Sequence, residues 1–249
     1  MPSVPPSLVQ NVVRGLSGAY MRTFHQLTTD VPADFPRSGP MLAIVNHSSH
    51  MDAAAYAVAD PSRPPAVVIV KESLLRTPVV RWFVAKWGAI PVSRDGHDVA
   101  ALRGIVGALR QGKRVAVAAE GTRSRTGHLG PLNRVLVKLA VDMARRDIPV
   151  VLGVTIGTYQ VLPPGAILPR LGKVRVSITM PLDLSPWTGR KVTDADLEEV
   201  GAFIQRRMAA MLPPEQRPVP GTPVLTPPVV VAASSSDATP VTRRADAAV

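Results

Sequence analysis

The chain has 249 residues, 29 Lys+Arg against 18 Asp+Glu for a formal charge of +11, and no cysteine. The missing cysteine excludes a disulfide framework, a thiolate nucleophile and any cysteine zinc site. So basic a balance attracts polyanions, meaning nucleic acid, anionic membrane or phosphorylated small molecules, and a chain of this length buries a core without cross-links.

Residues 1–29 contain no Asp or Glu, and Val9, Val12, Val13, Leu16, Tyr20, Phe24 and Leu27 recur at helical spacing. This segment is expected to be an amphipathic helix, packed on its own domain or lying on a membrane surface. No apolar run reaches the 18 or more residues that a membrane span needs, and no signal-peptide pattern opens the chain. A location on a membrane surface or in solution is expected, not one through a bilayer.

From Pro40 to Leu212 strand-like and helix-like segments alternate, within a domain expected over 30–212. Met41 to Val45 and Ala66 to Val70 read as buried strands, Leu74 to Trp87 as a helix and Ala89 to Val92 as a strand. A helix follows over Val99 to Arg110 with Gly112 as its C-terminal cap, then a strand over Val115 to Ala119 and a helix over Val135 to Arg146. Val150 to Ile156 and Val174 to Met180 are strands, and Thr193 with Asp196 opens a last helix carrying Leu197, Val200, Ile204 and Met208. The alternation predicts a single α/β domain with a mostly buried mixed sheet flanked by helices, plus the N-terminal amphipathic helix. Residues 213–249 hold eight prolines in 37 residues and no periodicity, which predicts a disordered tail.

Three polar clusters follow strand ends. In Asn46-His47-Ser48-Ser49-His50-Met51-Asp52, a regular helix would turn His47 and Asp52 about 140° apart, so they meet only if the chain turns between them. A carboxylate on one ring nitrogen fixes the tautomer and leaves the other nitrogen to take a proton from a hydroxyl. Asp52 could instead be a helix N-cap, His47 and His50 could be metal ligands, and Ser48 or Ser49 a nucleophile without the usual G-x-S-x-G elbow. Gly88-Ala89-Ile90-Pro91-Val92-Ser93-Arg94 reads by itself as a strand with a surface arginine. In Glu120-Gly121-Thr122-Arg123-Ser124-Arg125, Gly121 allows close backbone approach and Arg123 can grip a phosphate, although a solvated basic loop would look the same.

Taken in order, N-H-x-x-x-x-D, G-x-I-P-V-x-R and E-G-T-R resemble the glycerolipid (lysophospholipid) acyltransferase family, in particular bacterial 1-acylglycerol-3-phosphate acyltransferases. Lys71-Glu72-Ser73-Leu74 and Pro149-Val150-Val151 resemble its linking segments, so the likeness runs over about residues 40 to 160. It implies His47 as the base that deprotonates an acceptor hydroxyl attacking a thioester, with Asp52 orienting it. It implies Arg94 and Arg123 as the holders of the acceptor's phosphate, with Glu120, Gly121 and Thr122 shaping that pocket. Acyl-CoA or acyl carrier protein would be co-substrate, and neither a metal nor another cofactor is expected. The expected reaction converts lysophosphatidic acid to phosphatidic acid in phospholipid biosynthesis, peripherally on the cytoplasmic face of the cell membrane. Glycerol-3-phosphate, another lysophospholipid or a glycolipid are alternative acceptors. A non-catalytic binder of anionic lipid or nucleic acid would have no use for an oriented base, so no nucleic-acid partner is expected. Two departures stand out: Ala118-Ala119 where the family usually has Phe-Pro, and Leu132-Asn133-Arg134-Val135 where it often has Phe-Lys-x-Gly.

Overall fold

In the computed structural model the described residues are 8–62, 66–71, 75, 76, 78, 81, 82, 89–92 and 98–227. Most of the helix expected over Leu74 to Trp87, the arginine Arg94 and the end of the tail, 228–249, lie outside them. Helix α1 spans Leu8–His25, strand β1 Thr28–Asp30, β2 Met41–Val45, α2 Asp52–Ala59, β3 Val67–Lys71 and β4 Ile90–Val92. There follow α3 over Asp98–Arg110, β5 over Arg114–Ala118, α4 over Arg134–Ala144, β6 over Val150–Ile156, the one-turn α5 over Thr158–Val161, β7 over Arg175–Ile178 and α6 over Asp194–Met211.

The strands form one sheet in the order β1-β7-β6-β2-β5-β3-β4. All neighbours are parallel except β6 and β7, so the sheet is mixed as the alternation predicts. Central β2 puts Ile44 opposite Val117 of β5 and Leu152 of β6. Side chains alternate between two cores, as the two-residue period of a strand requires. Leu42, Ile44, Val115, Val117, Val150 and Leu152 pack toward α3, α4 and α6. Met41, Ala43, Ala116 and Val151 pack with Met21 of α1 and Ala55 and Tyr56 of α2. On this second face Gly153 lets α2 come close: a Cβ there would stand 2.6 Å from the Tyr56 ring.

Sequence signals account for the helix ends. Thr193 and Asp196 form the expected capping box at the start of α6. Gly112, at φ +77°, ends α3 and lets Lys113 N bond back to Ala108 O at 3.0 Å.

Two expectations need correction. The division at residue 29 cuts through β1, which pairs with β7, and α1 belongs to the domain because Met21 is fully buried and Arg14 donates to Asp60 O at 2.6 Å. The buried face of α1 is Gly18, Met21 and His25, whereas Val12, Leu16, Tyr20 and Phe24 of the apolar stripe, and Leu8 before it, are exposed. Periodicity marks an amphipathic helix but not which side meets the protein. Residues 213–227, read as part of a disordered tail, lie along the domain: Leu225 is buried and bridges Leu132, Thr226 N donates to Leu132 O, and Leu129 N donates to Gln216 O. The composition hid this, because a few backbone bonds and one buried leucine dock the segment without any repeat.

Candidate active site

The three central parallel strands, β2, β5 and β6, deliver their carboxyl ends to one place, where open α/β sheets bind ligands. After β2 the chain leaves regular structure at Asn46 and re-enters it at Asp52. Asn46 stands in for a further pair of sheet residues: its side chain accepts from Thr155 N at 2.7 Å and donates to Thr155 O at 3.0 Å. The turn expected between His47 and Asp52 follows, and His47 Nδ1 donates to Asp52 Oδ2 at 2.8 Å. The same oxygen accepts from Ser48 N at 2.7 Å and Ser49 N at 2.8 Å, while Oδ1 accepts from the Thr155 hydroxyl at 2.8 Å. Asp52 therefore folds the turn and orients the imidazole, and it caps no helix; the α2 cap, Met51, makes no side-chain bond.

This arrangement fixes the His47 tautomer. A carboxylate only accepts, so the proton sits on Nδ1 and Nε2 presents a lone pair. The side chain is 30% exposed, enough to meet a substrate. Neither serine is placed as a nucleophile: both are buried, Ser49 Oγ donates to Leu162 O at 2.8 Å, and Ser48 Oγ lies 3.5 Å from Thr158 Oγ1.

The loop after β5 is tied to the same turn. His47 N donates to Glu120 Oε2 at 3.2 Å, and Ser124 N donates to His47 O at 2.7 Å. Glu120 also accepts from Gly130 N at 3.0 Å and is 8% exposed. Burial pushes its carboxyl up to about 7, against the two backbone N–H groups that favour its charge. Gly121 has φ +73°, and a Cβ there would stand 2.8 Å from Asn133 Nδ2, so glycine is required on two counts. Asn133, where the family often has lysine, caps α4 by accepting from Val135 N and Leu136 N.

Arg123 is the electrostatic feature of the loop. Its Nη1 is buried and has no hydrogen-bond partner among the described residues. Burial, then the charges of Arg123 and His47, hold His50 below its ordinary value. A groove of about 320 Å³ runs beside the loop, lined by Glu120, Thr122, Arg123, Arg125 and, from the docked C-terminal segment, Thr222 and Thr226. The structure thus brings together His47, Asp52, Glu120, Gly121, Thr122 and Arg123. The sequence reading missed Thr155, whose lone hydroxyl in the apolar strand Val-Val-Leu-Gly-Val-Thr-Ile was the available signal.

The sequence pattern of the acyltransferase family matches residues 26–153, a stretch that takes in the His47 turn and the Glu120–Arg123 loop. The chain belongs to the acyltransferase family. It is similar to a chloroplastic 1-acyl-sn-glycerol-3-phosphate acyltransferase of Brassica napus, with 30% identity over 57% of this chain and 41% of the relative. It is also similar to the 1-acyl-sn-glycerol-3-phosphate acyltransferase of Borreliella burgdorferi, with 27% identity over 48% of each. The chain thus spans less than half the length of these relatives. The fold is shared with the crystal structure of the 1-acyl-sn-glycerophosphate acyltransferase PlsC from Thermotoga maritima, at a TM-score of 0.63 and 22% identity over 81% of this chain and 79% of that one.

Proposed function

We propose that this protein is an O-acyltransferase that moves a fatty acyl group from an acyl thioester to the free hydroxyl of lysophosphatidic acid, giving phosphatidic acid. The observation that carries this reading is the double hydrogen bond by which the Arg123 loop holds the His47 peptide, from Glu120 on one side and Ser124 on the other. Base and anion holder are one unit, as a phosphorylated acceptor needs. The names of the relatives in Brassica napus and Borreliella burgdorferi support the same acceptor.

In this reaction His47 Nε2 takes the hydroxyl proton as the oxygen attacks the thioester carbonyl. Collapse of the adduct breaks the carbon–sulfur bond, and the imidazolium returns its proton to the departing sulfur. Ester and thiol are the products. Arg123 holds the phosphate, and Arg94 is proposed to share that task. The thioester is carried by coenzyme A or acyl carrier protein. Purified protein with labelled palmitoyl-CoA and a panel of lysolipids, with products resolved by mass, tests the reading. Transfer to lysophosphatidic acid is expected. Transfer only to a neutral or differently phosphorylated lysolipid moves the acceptor, and thiol release without acylated product makes the protein a hydrolase.

We further propose peripheral attachment to the cytoplasmic face of the cell membrane. Among the described residues no helix is long and apolar enough to cross a bilayer. The exposed stripe Leu8, Val12, Leu16, Tyr20 and Phe24 on α1, a helix without acidic residues, suits the headgroup boundary. Val12→Gln with Leu16→Gln should weaken co-sedimentation with anionic vesicles at unchanged thermal midpoint. Unchanged pelleting would remove α1 from the contact.

A further inference from the structure

The loop between α5 and β7, residues 162–173, reads Leu-Pro-Pro-Gly-Ala-Ile-Leu-Pro-Arg-Leu-Gly-Lys. Three of its four large aliphatic side chains are among the most exposed of the described residues: Ile167 at 91%, Leu168 at 79% and Leu171 at 81%. The loop is nevertheless held in shape. Ala166 N donates to Pro163 O, Arg170 N donates to Val161 O at 2.8 Å, and Ser49 Oγ, from the catalytic turn, donates to Leu162 O at 2.8 Å. At its base Gly157, with φ +85°, backs onto the Lys173 carbonyl so closely that any Cβ would collide. Three prolines within it lower the entropy lost on ordering.

Charge decides what this apolar tip meets. From Ile148 to Leu182 the chain has no Asp or Glu, while Arg170 and Lys173 lie within the loop itself. A second copy of a chain carrying +11 would bring like charges together, whereas anionic headgroups above a hydrocarbon layer match both the aliphatic tip and its cationic flanks. The base of the loop also joins the surface assigned above to the membrane: Val174 N donates to His25 O at 2.9 Å, at the end of α1 where Phe24 is exposed.

We infer that residues 162–173 form a second membrane contact, inserting Ile167, Leu168 and Leu171 among anionic lipids and seating the His47 turn at the bilayer surface. This rests on the reading of the acceptor as a lipid. The loop reaches the catalytic turn directly through Ser49 and Leu162, so a lipid acceptor need travel little to meet the base.

The absence of native cysteine allows a clean test. Leu168→Cys, carrying an environment-sensitive fluorophore, is mixed with vesicles of phosphatidylglycerol and phosphatidylcholine in equal parts. Its emission should shift to the blue and be quenched by brominated acyl chains, whereas the same label at Ala195→Cys, on α6, should not respond. The triple variant Ile167→Ser, Leu168→Ser, Leu171→Ser should lose roughly tenfold or more in vesicle partitioning. Its thermal midpoint and its turnover of a monomeric short-chain lysophosphatidic acid should be unchanged. A silent label at 168 while the full chain pellets with vesicles overturns the inference and leaves the acyltransferase reading standing. A blue shift that tracks protein concentration without lipid also overturns it, in favour of self-association. A lipid-dependent shift in a protein that acylates no lysolipid upholds the contact and sinks the functional reading instead.

Discussion

Thr155 donates its hydroxyl hydrogen to Asp52 Oδ1 at 2.8 Å, on the carboxylate oxygen that His47 does not use. One strand end thus sets the angle of a carboxylate that lies 103 positions earlier in the chain. Thr155→Val should lower kcat about tenfold, by loosening Asp52 and with it the imidazole, and Thr155→Ser should restore most of it. His47→Ala gives the floor, a loss of about 10²- to 10⁴-fold typical of a removed general base. Melting curves run beside the kinetics separate this from unfolding. Full activity in Thr155→Val would make the hydroxyl a packing group only.

Arg123→Ala should raise the KM for lysophosphatidic acid far more than that for the thioester. The lost contact is a charge-assisted bond to phosphate, of the kind worth about 1.5–3 kcal/mol. Monoacylglycerol, which has no phosphate, should feel the change little. Equal losses with both acceptors would show that the guanidinium serves the fold.

Glu120 gives the stability a pH dependence of unusual sign for a carboxyl. In the folded chain it keeps its proton up to about pH 7, whereas the ordinary value is 4.5. Between these values the native state binds more protons than the unfolded one, so stability falls as pH rises through that window. The full effect is about 3 kcal/mol, from about 1.4 kcal/mol per pH unit. Glu120→Gln should flatten this slope in thermal melts between pH 4.5 and 7. It should also lower the midpoint throughout, because the amide nitrogen would face the backbone N–H of either His47 or Gly130. A slope that survives the substitution belongs to another group.

Truncation should distinguish two parts of the C-terminal segment. Ending the chain at residue 227 should leave midpoint and activity almost unchanged, since 228–249 shows no core-forming pattern. Ending it at 212 removes Leu225, which is 4% exposed, and the wall of the Arg123 groove formed by Thr222 and Thr226. That truncation should cost stability by roughly 2 kcal/mol or more, as the loss of a buried leucine does, and should impair acceptor binding. Identical behaviour of the two truncations would refute the docked segment.

The parts of the site that could be read from the chain are those whose partners lie close in sequence. His47 and Asp52 are five residues apart, so one turn explains their meeting, and the Thr193–Asp196 capping box spans a single helical turn. Bonds across the sheet left weaker traces: nothing near Glu120 announces that its side chain holds the His47 peptide, 73 positions away. Helix α1 shows a third kind of limit. Its apolar stripe was plain, but water and protein compete for both faces, and only the position of α2 decides that Met21 is the inward residue.

The sheet order has a consequence for how this protein fails on heating. The outermost described strands, β1 and β4, have three residues each, whereas His47, Glu120 and Thr155 sit at the ends of β2, β5 and β6 in the interior of the sheet. Fraying begins at short margins, where few backbone bonds must open, and reaches the middle last. Amide hydrogens of residues 42–45 should therefore exchange with solvent only when the whole domain opens, long after those of 28–30. The His47 turn is thereby placed in the layer expected to exchange most slowly, and warming should remove the proposed acyl transfer in the same cooperative step that removes the fold.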